Sequence, residues 1–169
     1  MSMVRPEELA DRLAIMDLLS RYARGIDRCD LAVLREVWWP EAMADYGTGE
    51  INALAWSEGV IPALAAMRRT QHFLGNMLID IDGAQAAAET YCRAWHEVDG
   101  PDGPAEMEVG GRYLDRLERR GDEWRLLHRR YVLDWSRNGP STAQWDGPLY
   151  GTLKRHGKRL PDDPLHTGD

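Results

Sequence analysis

The feature that most constrains the fold is a change of hydrophobic period near residue 70. Before it, apolar residues recur at three- and four-residue steps; after it they alternate, as in strands with two different faces. From Pro6 to Cys29 the series Leu9, Leu13, Met16, Leu19 and Ala23, with Ile15, Leu18, Tyr22 and Ile26 beside it, predicts one long helix buried over a broad face. Pro6, Glu7 and Glu8 suit its first turn, because proline needs no donor there and carboxylates favour the positive end of the helix dipole. Asp30 is placed to cap a short second helix, Leu31 to Trp38, which Pro40 brings to a stop. Ala42 to Tyr46 is expected as a short strand closed by Gly47-Thr48-Gly49. Ala53 to Met67 is expected as a third helix, interrupted or capped around Gly59 and Pro62.

Four period-two segments follow: Phe73 to Ile81, Ala86 to Val98, Glu106 to Arg119 and Glu123 to Trp135. They are separated by Asp82-Gly83, by a loop from Asp99 to Pro104 and by Gly121-Asp122. They predict long antiparallel strands joined by hairpins. Strict alternation sets Tyr113, Asp115 and Leu117 against Leu114, Arg116 and Glu118, and Trp124, Leu126 and His128 against Arg125, Leu127 and Arg129. Gly110-Gly111 marks a bulge or bend. Helices followed by such a sheet make an α+β domain, and strands this long must curl. The expected architecture is a cone-shaped, strongly curved antiparallel sheet, covered by the N-terminal helices and enclosing a pocket. At 169 residues the chain fits one such domain, 1–137, leaving 138–169 as a tail too poor in apolar groups for a core of its own. That tail is expected on the surface or at a subunit interface.

A formal charge of −7 argues against nucleic acid and against an anionic membrane face, so a small molecule is the expected partner. No apolar run approaches the roughly 20 residues of a membrane helix. The opening MSMVRPEELADR lacks the apolar core of a signal peptide, and Cys29 and Cys92 stand far apart, so a cytoplasmic protein is expected. His72, His96 and His128 have no ligand spacing, and no glycine-rich phosphate loop or GxSxG elbow is present. Neither a metal nor an organic cofactor is expected.

Asp27 ends the first helix beside Tyr22, Ala23 and Ile26, so it either faces inward and needs a partner or pairs with Arg24, Arg28 or solvent. His72 follows the third helix and precedes Phe73-Leu74, at a possible pocket mouth. Imidazole is the usual base near neutral pH, and a carboxylate on one ring nitrogen aims the other at substrate; the alternative is a structural histidine. Arg129 and Arg130 are adjacent on a strand, so at most one enters the pocket, there to stabilise an anion; otherwise it pairs with Glu89, Asp115 or Glu118 or stays solvated. Tyr22 and Tyr46 either donate phenolic hydrogen bonds to a substrate or simply pack. Tyr22 and Asp27, five apart, lie about 140° around an ideal helix, so both touch one ligand only in a wide pocket or at a distorted helix end. The seven tryptophans serve core or interface, and some line the pocket.

The segments LADRLAIMDLLSRYARGIDRCDLAVLREVWWPEA, TQHFLGNMLIDIDGAQAAAETYCRAWH and GGRYLDRLERRGDEWRLLHRRYVLDWSR together resemble the SnoaL-like branch of the nuclear transport factor 2-like superfamily, over roughly residues 7 to 137. That branch includes scytalone dehydratase, bile acid 7α-dehydratase and hexachlorocyclohexane dehydrochlorinase. The resemblance implies an α+β cone working without metal or organic cofactor, with Asp27 and His72 as a proton-transfer dyad. It further implies that Tyr22, Tyr46 and Arg129 bind substrate near the leaving group, and that the protein is a homo-oligomer, trimer or dimer. Only His96 stands, loosely, for the second histidine of scytalone dehydratase. The implied activity is a dehydratase-type lyase acting on a hydroxylated alicyclic, steroid-like or polyaromatic molecule. The alternatives are an isomerase or polyketide cyclase with the same base, or a non-catalytic binding module or oxygenase small subunit.

Overall fold

The computed structural model describes residues 5–167. A 3₁₀ turn, Pro6–Glu8, leads into α1, Leu9–Arg28. The helix buries Ile15, Leu18, Leu19, Tyr22, Ala23 and Ile26, while Leu9, Leu13 and Met16 are exposed. The buried face is thus narrower than the apolar pattern implies, because the sheet underneath meets only one side of the first turns. Asp30 caps α2, Leu31–Val37, by accepting from the Val33 N–H at 3.1 Å. That helix stops three residues before Pro40. The proline lies instead within β1, Trp38–Asp45, at the irregularity between Trp38 and Met43, where a missing donor breaks no regular ladder bond.

After β1 comes a short strand that alternation did not reveal, β2, Glu50–Asn52. Asn52 caps α3, Ala53–Ala66, through the Leu54 and Ala55 N–H groups. The helix runs through Gly59 and Pro62 without interruption, since burial of Ala53, Ser57 and Leu64 outweighs one missing hydrogen bond. Four long strands follow: β3 (Arg69–Asp82), β4 (Gln85–Gly100), β5 (Gly103–Arg120) and β6 (Glu123–Pro140). Each outruns its expected segment. His72 therefore sits inside β3, and the expected Asp99 to Pro104 loop shrinks to a tight turn between paired Gly100 and Gly103.

The six strands form one open, curved sheet in the order β2-β1-β6-β5-β4-β3. The β3 to β6 hairpins are antiparallel, but β1 pairs parallel with β6, so the sheet is mixed. The buried residues of β4, Ala86, Ala88, Thr90, Cys92 and Ala94, are small, and Cys92 and Ala94 border a hollow under α1. From Ser141 the tail folds back against α1: the Leu160 N–H bonds the Arg28 carbonyl at 3.0 Å, and Asp163 pairs with Arg28 at 3.2 Å. A four-residue helical turn, Pro164–Thr167, closes the described chain. Among the described residues no helix is long and apolar enough to cross a membrane.

Three single-residue bulges break the alternation, at Asn76 in β3 and at Leu127 and Asp134 in β6. Gly110-Gly111 faces the last of these, as expected of a bulge. The Leu127 bulge reverses an expected assignment. Leu117 pairs with Leu126, but Arg116 pairs with His128, so beyond the bulge the odd positions turn inward. Arg129 joins Trp124 and Leu126 in the interior, and His128 turns out to meet Glu50 at 2.9 Å.

A Cβ on Gly111 would lie 2.3 Å from the Val132 carbonyl oxygen, which is backbone and cannot swing away. Gly111→Ala is expected to lower stability by about 1–3 kcal/mol, read as a lower urea midpoint at unchanged slope. Gly59→Ala, in α3 with open space around it, is expected to raise stability by about 0.5–1 kcal/mol.

Candidate active site

The last turn of α1 meets the start of β3 through Asp27. Its Oδ1 accepts from His72 Nδ1 at 2.8 Å, and its Oδ2 accepts from the His72 backbone N–H, also at 2.8 Å. Residues 45 positions apart are thereby joined by two bonds. The left-handed Cys29, φ 54°, ends α1 immediately behind this carboxylate and turns the chain toward α2. Burial raises the Asp27 pKa, but the hydrogen bonds and charge of His72 outweigh it, and the carboxyl rests below its ordinary value. An ionised carboxylate on Nδ1 requires a proton there, so in the neutral ring the free lone pair is on Nε2. Nε2 makes no hydrogen bond to any described residue.

His72 lines a cavity of about 350 Å³, walled almost entirely by apolar and aromatic groups: Ile26, Trp56, Val60, Leu64 and Met67 from the helices, and Cys92, Ala94, Val109, Tyr131 and Leu133 from the sheet. Asp27 stays behind the imidazole, outside the lining. The 140° between Tyr22 and Asp27 is thus resolved: Tyr22 touches the chamber, while Asp27 contacts His72, which does. A hollow of about 280 Å³ lies next to the Asp27–His72 pair, beside Thr70, Gln71 and Arg159, and a groove of about 590 Å³ lies farther off, beside Arg21, Glu36 and Trp124.

Tyr22 and Tyr46 both line the chamber and share a short hydrogen bond between their hydroxyls. Burial pushes both phenols above their ordinary pKa, Tyr46 the further, while Arg129 pulls them down. Both remain protonated donors at neutral pH. Arg129 is fully buried and lies behind them: its Nε and Nη2 reach the two oxygens of buried Asp115, each at 2.7 Å. Its guanidinium carbon stands 4.1 Å from the Tyr22 ring centroid and 3.9 Å from that of Tyr113. Nη1 has no partner among the described residues. Of the expected alternatives for Arg129, the structure shows the ion pair with Asp115, and the side chain is not among the residues that line the chamber. Arg130 is exposed on the opposite face.

Two site features were underweighted in the sequence. His96, weighed only as a metal ligand and a loose catalytic candidate, lines the chamber with its ring 5.4 Å from that of His72, edge to face. Burial first, and the neighbouring His72 second, lower its pKa and favour the neutral ring. Inward alternation along Ala88, Thr90, Cys92 and Ala94 was the available signal. Trp56 stacks on Tyr46 at 3.9 Å, fixing the phenol's plane; nothing in the sequence separated it from the other tryptophans. Among the described residues no three His, Cys, Asp or Glu side chains gather as a metal set.

A helix-covered, curved and unclosed sheet with an apolar chamber at its wide end is the α+β cone of the nuclear transport factor 2-like superfamily. Within it, the chain belongs to the SnoaL-like domain family, whose model matches residues 7–130. The chain is 30% identical to the uncharacterized protein Rv2910c of Mycobacterium tuberculosis (strain H37Rv) over 136 residues, covering 76% of this chain and 88% of that one. Its fold is similar to hexachlorocyclohexane dehydrochlorinase LinA-type3 of Novosphingobium barchaimii LL02 (17% identity, 83% and 97% of the two chains, TM-score 0.71). It is also similar to a scytalone dehydratase-like protein of Novosphingobium aromaticivorans DSM 12444 (16% identity, 84% and 95%, TM-score 0.68).

The depressed pKa of Asp27 has a stability consequence. Its contribution is fully present above the ordinary value of 3.8 and is lost as pH falls through the lower folded value. Asp27→Asn is therefore expected to flatten the acid side of the stability-against-pH curve below about pH 4. Asp115→Ala leaves the Arg129 charge buried and unpaired, and is expected to cost about 3–5 kcal/mol by urea denaturation.

Proposed function

We propose that the protein is a cofactor-independent lyase that eliminates water from a hydroxylated alicyclic, steroid-like or polyaromatic small molecule. The observation that carries this reading is an imidazole backed by a carboxylate, its free nitrogen unbonded, at the wall of an apolar chamber that also holds a pair of phenol donors. In the proposed step, His72 Nε2 takes a proton from the carbon next to the one bearing the hydroxyl. The released electron pair forms the new double bond as the C–O bond breaks. Asp27 stabilises the imidazolium. One phenol of the bonded Tyr22–Tyr46 pair donates to the other, and the second donates to the departing oxygen. That oxygen leaves as water by taking up the proton from the imidazolium, and the fixed charge of Arg129 strengthens the phenol donors from behind.

An apolar wall excludes competing water and suits a hydrocarbon skeleton. The cavity falls at the low end of the roughly 300–1,000 Å³ of small-molecule sites, favouring a compact substrate. The two proteins of similar fold, a dehydrochlorinase and a scytalone dehydratase-like protein, support elimination as the reaction type. Phenol donors favour oxygen over chloride as the leaving atom, since an alkoxide-like oxygen accepts a stronger hydrogen bond.

The test is turnover of a panel of such hydroxylated compounds, followed by product mass. Loss of one water is expected; a product of unchanged mass would mean isomerisation or cyclisation by the same base. His72→Ala and Asp27→Asn are each expected to lower turnover at least about a hundredfold while near-ultraviolet circular dichroism stays native. Undiminished turnover in either folded variant would overturn the mechanism.

A further inference from the structure

The carbonyls of a helix's last turn have no partner within the helix and must find one elsewhere. At the end of α1 the Asp27 carbonyl accepts from Arg159 Nη1, a side chain from the tail more than a hundred residues later. The same Nη1 donates to the Thr70 hydroxyl at 2.9 Å, and Nη2 donates to the Leu64 carbonyl in the last turn of α3 at 3.1 Å. One guanidinium therefore touches the residue that carries the dyad carboxylate, the strand two residues before the dyad imidazole, and the helix that walls the chamber. Thr70 is buried, and it adds slightly to the lowering of the Asp27 pKa, after His72. The tail is docked where this requires: the next residue, Leu160, bonds the Arg28 carbonyl, Asp163 pairs with Arg28, and Arg24 meets His166 at 2.9 Å.

We propose that Arg159 is a positioning residue for the dyad, bridging the ends of α1 and α3 to Thr70 so that Asp27 meets His72 in one geometry. Arg159 lies outside the residues matched by the family model, 7–130, so the tail supplies part of the working site that the shared domain does not. The planar fork suits the task. It satisfies three oxygens at fixed angles and puts a permanent cation at two negative helix ends, whereas a lysine offers a single flexible point.

The catalytic part of this inference rests on the lyase reading, so the experiment has a readout that needs no substrate. The ring ¹⁵N shifts of His72 in the full chain report which nitrogen carries the proton. The wild-type protein is expected to hold its proton on Nδ1, and Arg159→Ala to give a mixture of both tautomers. Turnover should fall about tenfold to a hundredfold with KM changed less than about twofold, and Arg159→Lys should restore only part of it. A folded Arg159→Ala with unchanged His72 shifts overturns the proposal whatever its turnover. Altered shifts with unchanged turnover uphold the positioning and count against the lyase reading. Should Arg159→Ala fail to fold, Thr70→Val removes one of the three partners and is judged by the same shifts.

Discussion

The carboxylate of Asp27 is the constraint on which the rest of the molecule depends. A charged group this deeply buried costs several kcal/mol to desolvate, and each charge-assisted hydrogen bond returns about 1.5–3 kcal/mol. Two such bonds, both from His72, bring the account close to balance only if neither is lost. The first helix and the third strand are therefore held in register by a contact that tolerates little displacement. Its surroundings follow from that requirement: a left-handed residue ends the helix on time, and a tail closes over its carbonyls.

A second buried charge occupies the same interior under different terms. Arg129 is neutralised by Asp115 through two bonds on one edge, and its faces are covered by Tyr22 and Tyr113. Its charge is held well above any pH at which it could be lost, Asp115 outweighing the effect of burial. The cation lies behind the phenols, outside the cavity lining, and the two tyrosines stand between it and the chamber. Polarity is confined to the two imidazoles, His72 and His96, and to the tyrosine hydroxyls, while the remaining wall is mostly hydrocarbon and aromatic.

Much of this was legible in the sequence, and the failures share a cause. The long first helix, the Asp30 cap and the strand hairpins follow from local periodicity and turn chemistry, which neighbouring residues carry by themselves. The pairing of Asp27 with His72 was reachable only through family resemblance, because no local pattern says that two segments 45 residues apart will touch. Alternation misassigned Arg129 and His128 because one unpaired residue at Leu127 reverses the faces downstream without altering composition. Pro40 misled for a related reason, since it sits at a strand irregularity that only the partner strand defines. Arg159 was invisible: its partners are two carbonyls and a hydroxyl, groups that nearly every segment possesses.

The bulge at Leu127 also bears on how such a chamber changes over generations. Two adjacent arginines lie just beyond it, one inward and one outward, and the count of residues before them decides which is which. Loss or gain of a single codon there would rotate the following strand by half a turn, exchanging interior and exterior without altering any side chain. A binding cavity lined by bulged strands can thus be remodelled by length as well as by substitution, a route closed to regular strands whose partners on both sides fix the count.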